Sequence, residues 1–246
     1  MKINSNNWFE TWFDTKYYHL LYKNRDTNEA ENFIKKVVGF LDLKNDDRVS
    51  DIACGKGRHS RVLHSLGLSV WGMDLSVNSI HFAQQYAEVN LKFQVHDMRE
   101  PFPESEFDAA FNLFTSFGYF DDLQEDKRCI RNIYQSLAQN GFFVQDYLNA
   151  QSVMNLLPVE ESKTEDRVVF NIRKFVENNH IVKQIEVLDN LETFNFSEKV
   201  RIYSLENLIS QHEEAGFEIV QIFGNYNLDE FISLNSPRII IVSKKI

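Results

Sequence analysis

Short apolar runs that end in a polar or glycine-rich turn and lead into helical spacing recur along most of this chain, and that alternation constrains the fold more than any other feature. Val49 to Ala53 is an apolar strand closed by Cys54-Gly55-Lys56-Gly57, and residues 58–66 then carry Val62, Leu63 and Leu66 at helical spacing. The unit repeats at 68–74 with a helix over 77–88, and at 92–97 with a loop holding Pro101 and Pro103. It repeats again at 108–114 before a helix over 123–138, and at 141–147 after a turn at Asn140-Gly141. A helix over 28–42, with Phe33, Val37, Phe40 and Leu41 at its apolar spacing, precedes the first strand. Such alternation predicts an α/β fold: a mostly parallel sheet with helices on both faces, right-handed crossovers, and ligands at the carboxyl ends of the strands.

After residue 150 the period changes. Residues 167–203 read as three extended runs with turns at Asn178-Asn179 and near Asp189-Asn190, and predict a small antiparallel β insertion within about 151–203. Helical spacing returns over 204–216, stopped by Gly216, and two strands follow at 217–223 and 238–244. The 246 residues suffice for one domain over 1–246 with its own core. The expected N-terminal part, about 1–27, is an aromatic lid.

Charge narrows the partners. With 26 Lys and Arg against 36 Asp and Glu the formal net charge is −10, a field that repels nucleic acid and anionic membrane surfaces. Only Cys54 and Cys129 are present, too few for a disulfide framework. The N-terminal MKINSNNWFETWFDT alternates polar and aromatic residues, unlike a signal peptide, and no run approaches the ~20 apolar residues of a membrane-spanning helix. The expectation is a cytoplasmic protein without membrane contact. Histidines 19, 59, 64, 81, 96, 180 and 212 lack ligand spacing, so no metal site is expected.

The turn from Asp51 to Gly57 joins a strand to a helix, where bare backbone admits a ligand and a helix N-terminus offers free amides. A dinucleotide would put its pyrophosphate there, but the Asp51 carboxylate repels that charge and Ser60 stands where the third fingerprint glycine belongs. A nicotinamide-dependent oxidoreductase is therefore disfavoured, and Asp51 points to a cationic ligand. Asp74 ends the next strand, 23 residues later, where a carboxylate accepts both ribose hydroxyls. Asp97 ends the third, where it can accept from an adenine amine while Met98 packs on the ring. The three acids describe adenosine carrying a cation.

The motifs DIACGKGRH, WGMDLS, HDMREPF, FDAAFNLFTSFGYF and LAQNGFFVQDY, in this order, resemble the class I S-adenosylmethionine-dependent methyltransferases from about residue 33 to the C-terminus. That resemblance implies a Rossmann-like sheet of seven strands with the last one antiparallel, and S-adenosylmethionine as cofactor. It implies that Asp51, Ala53, Gly55 and Gly57 hold the methionine part, Asp74 and Leu75 the ribose, and Asp97 with Met98 the adenine. The carbonyls around Leu113 and Phe114 would meet the α-amino group. Ala53 stands where the family often has its first glycine. The N-terminal YYHLLYKNRD and the insertion are similar to small-molecule N-methyltransferases acting on amino sugars, which implies that Tyr22 and Arg25 close over the cofactor.

The acceptor side is less defined. Ser116 and Tyr119 either orient or deprotonate an acceptor or cap the following helix. Asp146, with Tyr147, either binds a substrate amine or is a turn acid. His59, with Arg58, either helps hold the methionine carboxylate or belongs to a solvated helix start. Trp8, Phe9, Trp12 and Phe13 read chiefly as packing residues, and Cys54 as a small buried hydrophobe. The resulting expectation is methyl transfer to a small-molecule nitrogen or oxygen nucleophile by a monomer or homodimer, against an alternative of a silent cofactor sensor. Arg167, Arg173 and Lys174 on the insertion either favour an anionic acceptor or are ordinary exposed strand charges.

Overall fold

A computed structural model describes residues 8–23 and 27–246. Helices α1 (Trp8–Trp12), α2 (Lys16–Leu21) and α3 (Thr27–Phe40) lead into β1 (Arg48–Ile52), α4 (Arg58–Ser65), β2 (Ser69–Asp74), α5 (Val77–Ala83) and β3 (Leu91–Val95). Next come β4 (Phe107–Asn112), α6 (Leu123–Ser136), β5 (Leu137–Leu148), α7 (Ala150–Met154), β6 (Val159–Glu165), β7 (Val168–Glu177), β8 (His180–Asp189) and β9 (Glu192–Arg201). The chain closes with α8 (Leu205–Ala215), β10 (Phe217–Phe223) and β11 (Arg238–Lys245).

The main sheet has seven strands in the order β10-β11-β5-β4-β1-β2-β3. β1 pairs in parallel with β2 and β4, and β2 with β3, whereas β11 is antiparallel to both its neighbours. The expected seven-stranded, mostly parallel Rossmann-like sheet with a reversed last strand is what forms. The winding reverses at β1, between β2 and β4, which is where such sheets open a crevice at their carboxyl edge.

Burial on both faces explains why the strands read as unbroken apolar runs. Along β11, Ile239 and Ile241 face one core cluster while Ile240 and Val242 face the other. One cluster packs α3, α4 and α5 on the sheet through Phe33, Ile34, Leu63 and Ile80. The opposite cluster holds α1, α6 and α8, and also Phe170, Ile172 and Ile185 from the second sheet.

That second sheet is antiparallel, in the order β6-β7-β8-β9. Two of its three hairpins turn at Asp166-Arg167 and Asn178-Asn179, all four with positive φ, the geometry of tight two-residue turns. It has one strand more than the sequence pattern predicts. β6 reads VEESKTE, four charges in seven residues, a composition that protects a sheet edge and carries no apolar alternation. Two further differences are smaller: α5 gives way to a tighter turn at Gln84–Tyr86, and β5 begins at Leu137, whose partner is Phe107.

Candidate functional site

At the end of β1 the chain turns into α4 through three left-handed residues, Ala53 (φ 59°), Gly55 (φ 56°) and Gly57 (φ 74°). Alanine pays a steric penalty there that glycine does not. The two glycines do different work. A Cβ on Gly55 would meet nothing within 4 Å, so its bare side is open space. A Cβ on Gly57 would lie 2.6 Å from Phe93 Cε1, so Gly57 lets α4 approach the sheet and is not part of the cavity wall.

The three acids do converge. Asp51, Asp74 and Asp97 stand at or just past the ends of β1, β2 and β3 and line one cavity of about 860 Å³. Asp51 is buried and accepts from Ser60 Oγ at 2.5 Å, so the residue that breaks the dinucleotide fingerprint anchors this carboxyl. Burial pushes Asp51 up to about 7, opposed by the Ser60 bond and reinforced by Asp74. Asp74 accepts from Gly55 N and Ser76 N, both at 2.8 Å. Burial raises its pKa against the pull of those two amides. For Asp97 burial also opposes ionisation, but the Arg99 guanidinium, bonded at 2.6–3.0 Å, wins and holds the carboxyl below its ordinary range.

Around these acids the wall contains Ala53, Gly55, Arg58, His59, Leu75, Met98, Leu113, Phe114, Ser116, Tyr119 and Tyr22. The His59 ring stacks on Phe114 at 5.0 Å between centroids, and Arg58 lies 4.8 Å over the same ring. Cys54 also lines the cavity, yet burial lifts its thiol far above the ordinary range, which keeps it protonated and unreactive. Arg25 lies outside the described residues.

Asp146 departs from the expectation. It lies inside β5 rather than in a turn, is fully buried, and does not line the cavity. Its oxygens take Arg238 Nε at 2.7 Å, Phe114 N at 2.8 Å and Tyr226 Oη at 3.1 Å. Thr115 N donates to its carbonyl at 2.9 Å, and Arg238 Nη2 to Thr115 Oγ1 at 2.8 Å. Phe114 (φ 59°) and Thr115 (φ 62°) are consecutive non-glycine residues in the left-handed region, a conformation that persists only where the surroundings impose it. Asp146 is therefore the anchor of the strained loop after β4. Tyr147 is buried too and donates to Arg201 O at 2.6 Å.

No helix directly follows that loop, so Ser116 and Tyr119 do not cap one. Their hydroxyls donate back to Leu113 O, at 2.9 Å, and to Thr115 O.

The N-terminal helices roof the cavity. Asp14 accepts from Ser76 Oγ at 2.6 Å, tying the α1–α2 turn to the N-cap of α5. Trp12 is packed on Phe196 at 4.6 Å, while Trp8, Phe9 and Phe13 both pack on Tyr119 and line the cavity. Tyr22 Oη donates to Glu198 Oε1 at 2.6 Å. Sequence reasoning missed Asp14, His19 and Glu198 in this wall. His19 is pushed down to about 4 by burial and by Lys56, so it is neutral. Among the described residues no cluster of three His, Cys, Asp or Glu could hold a metal, and no helix is long and apolar enough to cross a membrane.

A family model described as a methyltransferase domain matches residues 49–141, the span from β1 into β5 that carries the three acids. Over those residues this chain is similar to the methyltransferase-domain family. A putative methyltransferase of Geobacillus sp. (strain WCH70) is 23% identical over 96% of this chain and 98% of its own length. Among solved structures, an S-adenosylmethionine-dependent methyltransferase from Clostridium acetobutylicum shares the fold with a TM-score of 0.79 at 19% identity, covering 93% of this chain and 96% of that one. S-adenosylmethionine-bound CalS10, an amino pentose methyltransferase from Micromonospora echinaspora, has a TM-score of 0.72 at 17% identity, over 94% and 98% of the two chains. The family's cofactor is S-adenosylmethionine, and the donor set fits it: an open glycine face and a carboxylate cradle for a nucleoside bearing cations.

Proposed function

We propose that this methyltransferase moves the S-adenosylmethionine methyl group to a nitrogen or oxygen of a small molecule bound beneath α1 and α2, beside the second sheet. The observation that carries the reading is the single cavity shared by Asp51, Asp74 and Asp97, the β4 loop and the N-terminal roof. The cofactor, when bound, supplies a methyl group on an already activated sulfonium leaving group. The chain's work is then alignment and exclusion of water.

In this reading Asp74 accepts the ribose hydroxyls on lone pairs that Gly55 N and Ser76 N leave available. Asp97 and Met98 receive the adenine, with Leu75 beside the ribose. Asp51 and the Leu113–Phe114 carbonyls face the cationic methionine end, and Arg58 with His59 its carboxylate. Tyr22 belongs to a lid of about residues 1–27, and the second sheet to an insertion of about 151–203 that bounds the acceptor. Ser116 and Tyr119 shape the wall through the loop carbonyls they hold. CalS10, whose fold this chain shares, acts on an amino pentose, which supports a small acceptor. The test is methyl-labelled donor offered with pools of amines, phenols and alcohols. Label should enter one pool, and cofactor binding without transfer to any pool would contradict the reading.

A pH dependence follows from Asp51. Its carboxyl is raised from 3.8 to about 7 in the folded protein. The stability this contributes is full below pH ~4 and is lost as pH rises through ~7, where the buried group must ionise. A cationic ligand reverses the cost by drawing the proton off. S-adenosylmethionine affinity should therefore be about tenfold higher at pH 8 than at pH 6, a span that brackets the Asp51 titration. Calorimetry at both values checks this, and Asp51→Asn should flatten the difference.

A further inference from the structure

Beyond the three acids the cavity ends on a wall of rings. Trp8, Phe13, Tyr18, Tyr22 and Tyr119 all line it. They touch in sequence: Tyr119 to Trp8 at 5.2 Å, Trp8 to Phe13 at 5.3 Å, Phe13 to Tyr18 at 4.9 Å and Tyr18 to Tyr22 at 5.0 Å. At the end of this row the same wall holds one carboxylate, Glu198 of β9.

Glu198 is fixed rather than free to swing. Its Oε1 accepts from Trp12 Nε1 at 2.9 Å and from Tyr22 Oη at 2.6 Å, so α1, α2 and β9 converge on a single oxygen. Its Oε2 faces Lys183 Nζ at 3.7 Å, too long for a strong hydrogen bond. Lys183 is the cross-strand partner of Glu198, and Lys174 is in turn the cross-strand partner of Lys183. Lys174 is itself held by Glu161 at 2.9 Å. The Glu198 side chain is 16% exposed, which strengthens its field on anything in the cavity. Ring faces attract cations through their quadrupole, and a desolvated anion at the end of the row adds Coulomb attraction. A neutral hydroxyl acceptor gains neither.

We propose that this wall binds the acceptor amine as its alkylammonium ion, which passes one proton to the Glu198 carboxylate so that the freed nitrogen lone pair can take the methyl group, and that Glu198 is the specificity-determining residue that prefers it to a neutral acceptor of the same shape. The proposal rests on the reading of the cavity as a methyl-transfer site, and it selects amines within that reading. Lys183 is the cation that Glu198 faces in the protein alone, so it competes with an arriving ammonium.

The probes are choline and its neutral isostere 3,3-dimethylbutan-1-ol, titrated by ligand-observed NMR into protein saturated with S-adenosylhomocysteine. Choline should bind about tenfold more tightly. Glu198→Gln, which keeps the shape and can still meet Trp12 and Tyr22, should bring the two affinities within about twofold. Lys183→Met should widen the gap, because it removes the competing charge. Opposite shifts in the two variants separate charge recognition from loosened packing, which would weaken both ligands together. Equal affinities in the unaltered protein, or a preference that survives Glu198→Gln, would overturn the proposal while leaving the cofactor site standing. Failure of S-adenosylhomocysteine to bind would instead bring down the functional reading beneath it.

Discussion

Asp74→Ala is expected to lower S-adenosylhomocysteine affinity by about a hundredfold, the loss of two hydrogen bonds to a charged acceptor at ~1.5 kcal/mol each. The same carboxylate also receives Gly55 N and Ser76 N, so alanine leaves two turn amides without their acceptor and loosens the cradle. Adenosine should lose as much affinity as the full product, since the ribose is common to both. S-adenosylhomocysteine that bound equally well to the variant would place the ribose elsewhere.

Arg238→Ala should be the most damaging substitution for stability, at about 3–5 kcal/mol, because it strands a buried carboxylate. Asp146 is fully buried, and Arg238 is its cationic partner at 2.7 Å. Chemical denaturation measures the loss. A double substitution, Asp146→Leu with Arg238→Leu, should recover part of it, because a buried ion pair is often replaceable by apolar volume. It should not recover cofactor binding, since Phe114 and Thr115 would lose what holds them in the left-handed region. If the double variant bound S-adenosylhomocysteine normally, the loop after β4 would not need Asp146 as its anchor.

The convergence of three acids on one cavity was readable in the sequence for a physical reason. Asp51, Asp74 and Asp97 each follow an apolar run, and in a parallel sheet the ends of consecutive strands must share one edge. The acceptor side was not readable. Glu198 reaches Tyr22 across 176 residues of chain through the register of β9, and nothing local in SEKVR marks it. β6 hid behind its charges, and Asp146 looked like a turn acid because the extension of β5 to Leu148 depends on pairing with Arg238 of β11. The paired left-handed residues Phe114 and Thr115 carry no glycine to betray them. Asn178-Asn179, by contrast, announced its turn through side chains that tolerate positive φ.

The account depends on the carboxylate cradle holding an adenosyl compound with a positive charge. Calorimetric titration of the unaltered protein with S-adenosylhomocysteine at pH 8, alongside NADH, tests it most directly. One S-adenosylhomocysteine per chain at micromolar affinity and no heat from NADH is the expected result. A folded protein that ignores S-adenosylhomocysteine, or prefers the dinucleotide, would contradict it.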